Sequence, residues 1–259
     1  MEKKYFFFDI DGTLTSAKRH GLILDSTKQA VQQAKRQGHF LAIATGRPYY
    51  FAKDLADEVG IDHLVCNGGN DLYIDHVCIR HQPLDHAFSL EVIKECLNKD
   101  ISFCVSIDDS TKRLTHTKRF VEDLQGDEYI GDLDVIEDLD YTQFDSFERI
   151  MLAIPRGVEE TMEVFKRHYL PMRYHEHSCI LEPDRKDEGI VDMMAKLKQP
   201  MDHVVVFGDS RNDIRMFQKA PFAVAMGNAI EDVKQLADYV TLDSDEDGIY
   251  HAMKHFNWI

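Results

Sequence analysis

The stretch Tyr5-Phe6-Phe7-Phe8-Asp9-Ile10-Asp11-Gly12-Thr13 decides how this chain is read. Its first four residues are apolar without alternation, the mark of a strand covered on both faces, as in a parallel sheet. The character then changes at once to two carboxylates two positions apart, a glycine and a hydroxyl. Asp-Gly is a common turn, and D-x-D-G alone says little more. Two carboxylates so spaced can nevertheless converge if the chain leaves extended geometry immediately, and Gly12 permits that. One could then attack phosphorus while the other shuttles a proton.

The flanking sequence extends this strand into a repeating pattern. Ser26 is expected to cap a helix running to about Gln37, with Gly38 as its stop. Residues 40–44 form a second buried strand. Pro48 suits a helix start, Gly60 ends that helix, and residues 64–66 make a third strand. The β-α-β-α-β order predicts a parallel sheet with right-handed crossovers. The rhythm resumes late: helix over 189–197, buried strand over 204–207, helix over 214–217, strand over 222–225 and helix over 229–236. A strand over 239–242 and a helix over 249–256 follow. Between the two parts, residues 72–79 read as a hairpin turning at Asp75-His76. Residues 84–183 hold helical stretches and several strands, and residues 122–148 are acidic with no lysine or arginine, which reads as a solvated face with loops. The simplest arrangement is an α/β core of residues 1–81 and 185–259, with an α+β domain inserted at residues 82–184. Such an insert usually lies over the carboxyl ends of core strands, where open α/β sheets bind ligands.

The bulk properties exclude several functions. A length of 259 residues suits one large domain or two modest ones. Thirty basic against 46 acidic side chains leave a formal net charge of −16, which repels nucleic acid and anionic lipid. No run approaches the roughly 20 apolar residues of a membrane helix, and the apolar run before Asp9 is short for a signal peptide. The five cysteines are odd in number and form no C-x-x-C pair, as expected of free thiols in a reducing cytoplasm.

Three more segments carry candidate chemistry. Ala44-Thr45-Gly46-Arg47 follows the second strand. Thr45 reads as a helix N-cap, and a helix start with a hydroxyl and a glycine amide also suits an anion. Arg185-Lys186 precedes the helix containing Gly189-Ile190, where an exposed lysine is the plain structural expectation. Gly208-Asp209-Ser210-Arg211-Asn212-Asp213 follows the very apolar residues 203–207. A cap by Asp209 or Ser210 accounts for part of it, but not for a second carboxylate and an amide within four residues. A parallel sheet would bring Asp9, Asp11, Thr45 and Asp209 to one edge. Like charges about 4 Å apart repel by roughly 4 kcal/mol at an effective dielectric near 20. Clustered aspartates therefore need protons or a cation, and oxygen-only ligands suit a hard divalent ion such as Mg²⁺.

Taken together, these segments resemble the haloacid dehalogenase-like (HAD) phosphatases, most closely the Cof-type subfamily. The resemblance rests on D-I-D-G-T-L at 9–14, A-T-G-R at 44–47, N-G at 67–68, Lys186 with Gly189-Ile190, and G-D-S-R-N-D at 208–213. It extends to A-M-G-N-A at 225–229 and D-G-I at 247–249. Ser210-Arg211 departs from the small residues often found there. The resemblance implies a Rossmann-like core with an inserted cap that sets specificity. It implies Asp9 as the nucleophile that forms an aspartyl-phosphate, and Asp11 as the acid, then base. Asp9, the backbone carbonyl of Asp11, and Asp209 would hold Mg²⁺, with Asp213 close behind. Thr45, the amides of Ile10 and Gly46, Lys186 and Asn212 would grip the phosphoryl group. Asp11 is expected to be partly buried, since the acid step needs its proton held at neutral pH. The implied substrates are small phosphorylated metabolites, such as sugar phosphates or phosphorylated cofactors. A phosphomutase and a non-catalytic phospho-ligand sensor are the alternatives. Arg173, His175 and His177 are candidates to face the substrate, against a plain role on a surface strand. The sequence leaves the oligomeric state open.

Overall fold

Phe6 and Phe8 of strand β1 (Tyr5–Phe8) enter one hydrophobic cluster, while Tyr5 and Phe7 enter another. All four are buried, so the strand is covered on both faces, as its unbroken apolar run requires. The computed structural model describes residues 2–19, 21–127, 131–173 and 175–259. These divide into two compact units, Met1–His81 with Asp184–Ile259, and Gln82–Pro183.

In the first unit β1 pairs in parallel with β2 (Phe40–Ala44), which pairs in parallel with β3 (Leu64–Cys66). The antiparallel hairpin β4 (Asp71–Ile74) and β5 (Val77–Arg80) extends that edge. Its two-residue turn, Asp75-His76, has positive φ at both positions (51° and 60°), as an inverse hairpin turn demands. Helices α1 (Asp25–Arg36) and α2 (Tyr49–Val59) are the crossovers. Residues of α1 and α2 pack in the cluster of Phe6 and Phe8.

The second unit holds an antiparallel-rich sheet of β6 (Phe103–Ser106), β7 (Lys112–Thr115), β8 (Asp132–Val135), β9 (Arg149–Ala153) and β10 (Ser178–Leu181), in the order β10-β9-β6-β7-β8. Its helices are α3 (His86–Asn98), α4 (Arg119–Asp123) and α5 (Glu163–Arg167), and Phe88, Phe103, Phe147 and Leu152 centre its main core. Within the acidic stretch 122–148, residues 128–130 lie outside the described residues.

The chain then completes the first unit. Helix α6 (Lys186–Lys196) leads to β11 (Val204–Gly208), α7 (Ile214–Lys219), β12 (Phe222–Ala225), α8 (Glu231–Leu236), β13 (Tyr239–Val240) and α9 (Gly248–His255). Among the described residues this sheet has eight strands, ordered β13-β12-β11-β1-β2-β3-β4-β5. The strand order reverses at β1, whose parallel neighbours β2 and β11 come from distant parts of the chain. In open α/β sheets, ligands bind beyond the carboxyl ends of strands at such a switch point.

Two helix starts differ from expectation. Ser26 lies inside α1, whose N-cap is Leu24, and its hydroxyl donates to Asp247 Oδ1 at 2.6 Å. A long-range partner has taken the hydroxyl that local sequence assigned to a cap. Thr45 does not cap α2 either. Pro48 is the N-cap, and the Thr45 hydroxyl accepts the Arg47 amide at 3.1 Å, closing a local turn instead. No helix among the described residues is long and apolar enough to cross a membrane.

Candidate active site

Beyond Phe8 the ladder continues for one more bond, from the Asp9 amide to the Phe207 carbonyl at 3.0 Å. The chain then leaves extended geometry. Gly12 takes φ +80°, and the Thr15 amide folds back onto the Ile10 carbonyl at 2.9 Å. That tight turn buries Asp9 and Ile10 and sends the Asp11 side chain outward. A side chain at residue 12 would run into the Asp209 carboxylate, so the glycine also provides the space in which the two segments meet. The Thr13 hydroxyl donates to Asp209 Oδ1 at 2.9 Å.

Lys186, the first residue of α6, carries the second part of the site. Its side chain is 1% exposed, against the expectation of a surface lysine. The ammonium donates to Asp9 Oδ1 at 2.6 Å and to Asp213 Oδ1 at 2.7 Å. Its start is fixed by the turn at Asn67-Gly68-Gly69. The Asn67 amide donates to the Arg47 carbonyl at 2.8 Å, the Gly68 amide to the Thr45 carbonyl at 3.1 Å, and the Arg185 amide to the Gly68 carbonyl at 2.7 Å. The segments 44–47, 67–69 and 185–186 are thereby one hydrogen-bonded assembly.

Asp213 is the anchor of the third part. Its Oδ2 accepts the amides of Asp209 and Ser210 at 3.0 and 3.1 Å, and the Ser210 side chain reciprocates in a capping box around Arg211–Asp213. Ser210 is therefore the cap, and Asp213 is buried. Asp9, Asp209 and Asp213 each offer one carboxylate oxygen, all within 4.8 Å of one another. Asp9 and Asp213 each have an oxygen on Lys186, so two of the three acids share one ammonium.

The charge balance explains the titration behaviour. Burial pushes the Asp9 carboxyl well above its ordinary range, and Asp213 and Asp209 push it further, while Lys186 opposes them. Asp209 is pushed up to about 7, first by burial and then by Asp213, with the Thr13 hydroxyl opposing. Burial lowers the Lys186 ammonium, but its two carboxylates outweigh that and raise it. With all three acids ionised, one ammonium would leave two negative charges where desolvation is costly, which is why protons are held there in the absence of a cation. The residues present fit a divalent cation: they supply oxygen donors only and an excess negative charge of two.

Other expected site residues lie around this cluster. Thr45 is buried, Gly46 is half-buried beside it, and the Asn212 Oδ1 accepts the Ser210 hydroxyl at 2.8 Å. Asp11 departs from expectation. Its side chain is 61% exposed, and both oxygens take the Arg47 guanidinium, from Nε at 2.9 Å and from Nη2 at 2.5 Å. The outward turn at Gly12 separates its carboxylate from the three that cluster. Arg47 in turn lies over the Phe51 ring at 4.2 Å. Arg47 stood in the quoted A-T-G-R segment without a role. A guanidinium next to a glycine after a buried strand was the signal that could have assigned one.

In the second unit Arg173 is held by structure. Its side chain is buried, donates to Glu159 Oε1 at 2.6 Å and Oε2 at 2.7 Å, and reaches carbonyl oxygens of Ile154, Glu176 and Ser178. The His177 amide donates to Asp127 Oδ2 at 2.7 Å.

The fold and the comparisons define an enzyme of the hydrolase class. The profile of the haloacid dehalogenase-like hydrolases matches residues 6–253. The YkrA protein of Bacillus subtilis (strain 168) is 31% identical over 260 residues, 98% of each chain. From the same organism, 5-amino-6-(5-phospho-D-ribitylamino)uracil phosphatase YcsE is 26% identical, covering 98% of this chain and 95% of that one. Among solved structures, the HAD subclass IIB sugar phosphatase BT4131 is similar with a TM-score of 0.80 and 28% identity, covering 99% of this chain and 100% of that one. The chain belongs to the haloacid dehalogenase-like hydrolase family and is a phosphatase of that family, acting on phosphorylated substrates.

Proposed function

We propose that this chain is a Mg²⁺-dependent phosphomonoesterase of small phosphorylated metabolites, working through Asp9. The observation that carries the reading is the buried Lys186 ammonium bridging Asp9 and Asp213, with Asp209 within 4.8 Å of both. Lys186 takes Asp9 Oδ1 and leaves Oδ2 for chemistry. The Asp9 oxygen attacks phosphorus in line. The new Oδ–P bond forms as the ester P–O bond breaks, and the leaving oxygen takes a proton from Asp11. Asp11 then accepts a proton from the water that attacks the aspartyl-phosphate, which frees phosphate and restores Asp9.

Asp9, the Asp11 carbonyl, Asp209 and Asp213 would hold the cation, which when bound neutralises the nucleophile and the phosphate dianion. Thr45, the amides of Ile10 and Gly46, Lys186 and Asn212 grip the phosphoryl oxygens. The Arg47 fork occupies both oxygens of Asp11, so the acid step requires at least one of those bonds to open. Residues 82–184 carry substrate choice, and an odd number of cysteines without a C-x-x-C pair suits a cytoplasmic location. Sugar phosphates and phosphorylated cofactors are the favoured substrates; BT4131 is named a sugar phosphatase, and YcsE a phosphatase of 5-amino-6-(5-phospho-D-ribitylamino)uracil.

The test is phosphate release from a panel of small phosphoesters with Mg²⁺, using Asp9→Asn as the control. Release by the wild type that the variant lacks supports the reading; release no greater than the variant's on every ester overturns it.

A further inference from the structure

The segment Ala225-Met226-Gly227-Asn228-Ala229 enters no step above, yet Asn228 reaches two parts of the site. Its Nδ2 donates to the Gly12 carbonyl at 2.9 Å and lies 3.4 Å from Asp209 Oδ2. Its Oδ1 accepts the Ser244 amide at 2.9 Å. A backbone amide only donates, so Ser244 fixes which end of the Asn228 side chain faces Asp209: the nitrogen. Thr13 donates to the opposite Asp209 oxygen at 2.9 Å, so the carboxylate is held from both sides. The loop packs closely beside this contact, since a side chain at Gly227 would collide with Asp243.

We propose that Asn228 is a positioning residue for the divalent cation, fixing the Asp209 carboxylate and the Gly12 turn against each other. The inference rests on the reading of Asp9, Asp209 and Asp213 as a cation site. A neutral amide suits the task. It donates to an ionised carboxylate without bringing a positive charge that would compete with the metal, whereas Lys186 brings one on the Asp9 and Asp213 side.

The experiment is a titration of the full-length, metal-free protein with Mn²⁺, following free Mn²⁺ by electron paramagnetic resonance. Wild type, Asn228→Ala and Asn228→Leu are compared. Asn228→Ala is expected to bind Mn²⁺ about ten- to hundredfold more weakly. Asn228→Leu, which is close in size but has no donor for Asp209 or Gly12, is expected to lose as much. It carries the test alone should the alanine variant not fold. Circular dichroism of the metal-free chains separates lost binding from lost structure, and weakened binding with a native spectrum supports the role. An affinity within about twofold of wild type in either folded variant overturns it. If the wild type binds no Mn²⁺, the cation site itself falls, and this inference with it.

Discussion

Gly12 shows how much of the site depends on single residues. It needs φ +80°, and its missing side chain is the space that the Asp209 carboxylate fills. Gly12→Ala is therefore expected to lower kcat/KM for phosphate release by about a hundredfold, since displacements near 1 Å at reacting groups cost that much. Steady-state kinetics beside a thermal melt would check this, and an alanine variant with wild-type kinetics would contradict it. Asp209 gives a second expectation. Its carboxyl is raised from an ordinary 3.8 to about 7, so the cation-free fold keeps a proton that the unfolded chain has released. Bound protons in excess in the fold mean that stability falls as pH rises from about 4 to about 7, and recovers as pH falls back. Urea midpoints in chelator at about pH 5 and about pH 8 should show the drop, and saturating Mg²⁺ should flatten it. Equal midpoints in chelator would show that Asp209 is not strained by its neighbours.

At the scale of elements, the second unit is held by the buried pair of Arg173 and Glu159. Burial raises the Glu159 carboxyl, but the Arg173 fork and backbone donors more than offset it and leave it below its ordinary range. Arg173→Ala strands that carboxylate and is expected to cost about 3 kcal/mol of stability, read from the shift in urea midpoint. A shift near zero would mean that water reaches Glu159 freely. The same residue shows what sequence could not say. An arginine two and four residues before His175 and His177 looks like a surface or substrate residue, because its partner Glu159 is brought to it only by tertiary folding. Ser26 failed as a cap for the same reason, its hydroxyl taken by the distant Asp247, whereas the Thr45 hydroxyl is taken locally, by the Arg47 amide two residues on. By contrast β1, β2 and β11 were legible, because unbroken apolar runs ending in turn residues have few other solutions. The Asp75-His76 turn was equally legible, since two polar residues between paired apolar runs leave little else. The outward turn of Asp11 was not, because it depends on where Gly12 must stand against Asp209, at the far end of the chain.

For the whole molecule the decisive quantity is charge. A net −16 makes the general field repulsive to phosphate esters, so attraction has to be local, and in the proposed mechanism it comes from Lys186, backbone amides and a cation. Millimolar Mg²⁺ is expected to raise the melting temperature of the wild type by about 5 °C and to leave Asp209→Asn nearly unmoved. Calorimetry on both chains would decide, with no shift in the wild type counting against the cluster. The central claim is that Asp9 itself carries the phosphoryl group, and one measurement addresses it directly. The enzyme is mixed with a ³²P-labelled phosphomonoester that it hydrolyses, quenched in acid within one turnover, and digested for peptide mapping. The expected result is label on the peptide holding Asp9, present with Mg²⁺, absent with chelator and absent in Asp9→Asn. Phosphate released at full rate with no label on the protein, or with label on another residue, would contradict the account.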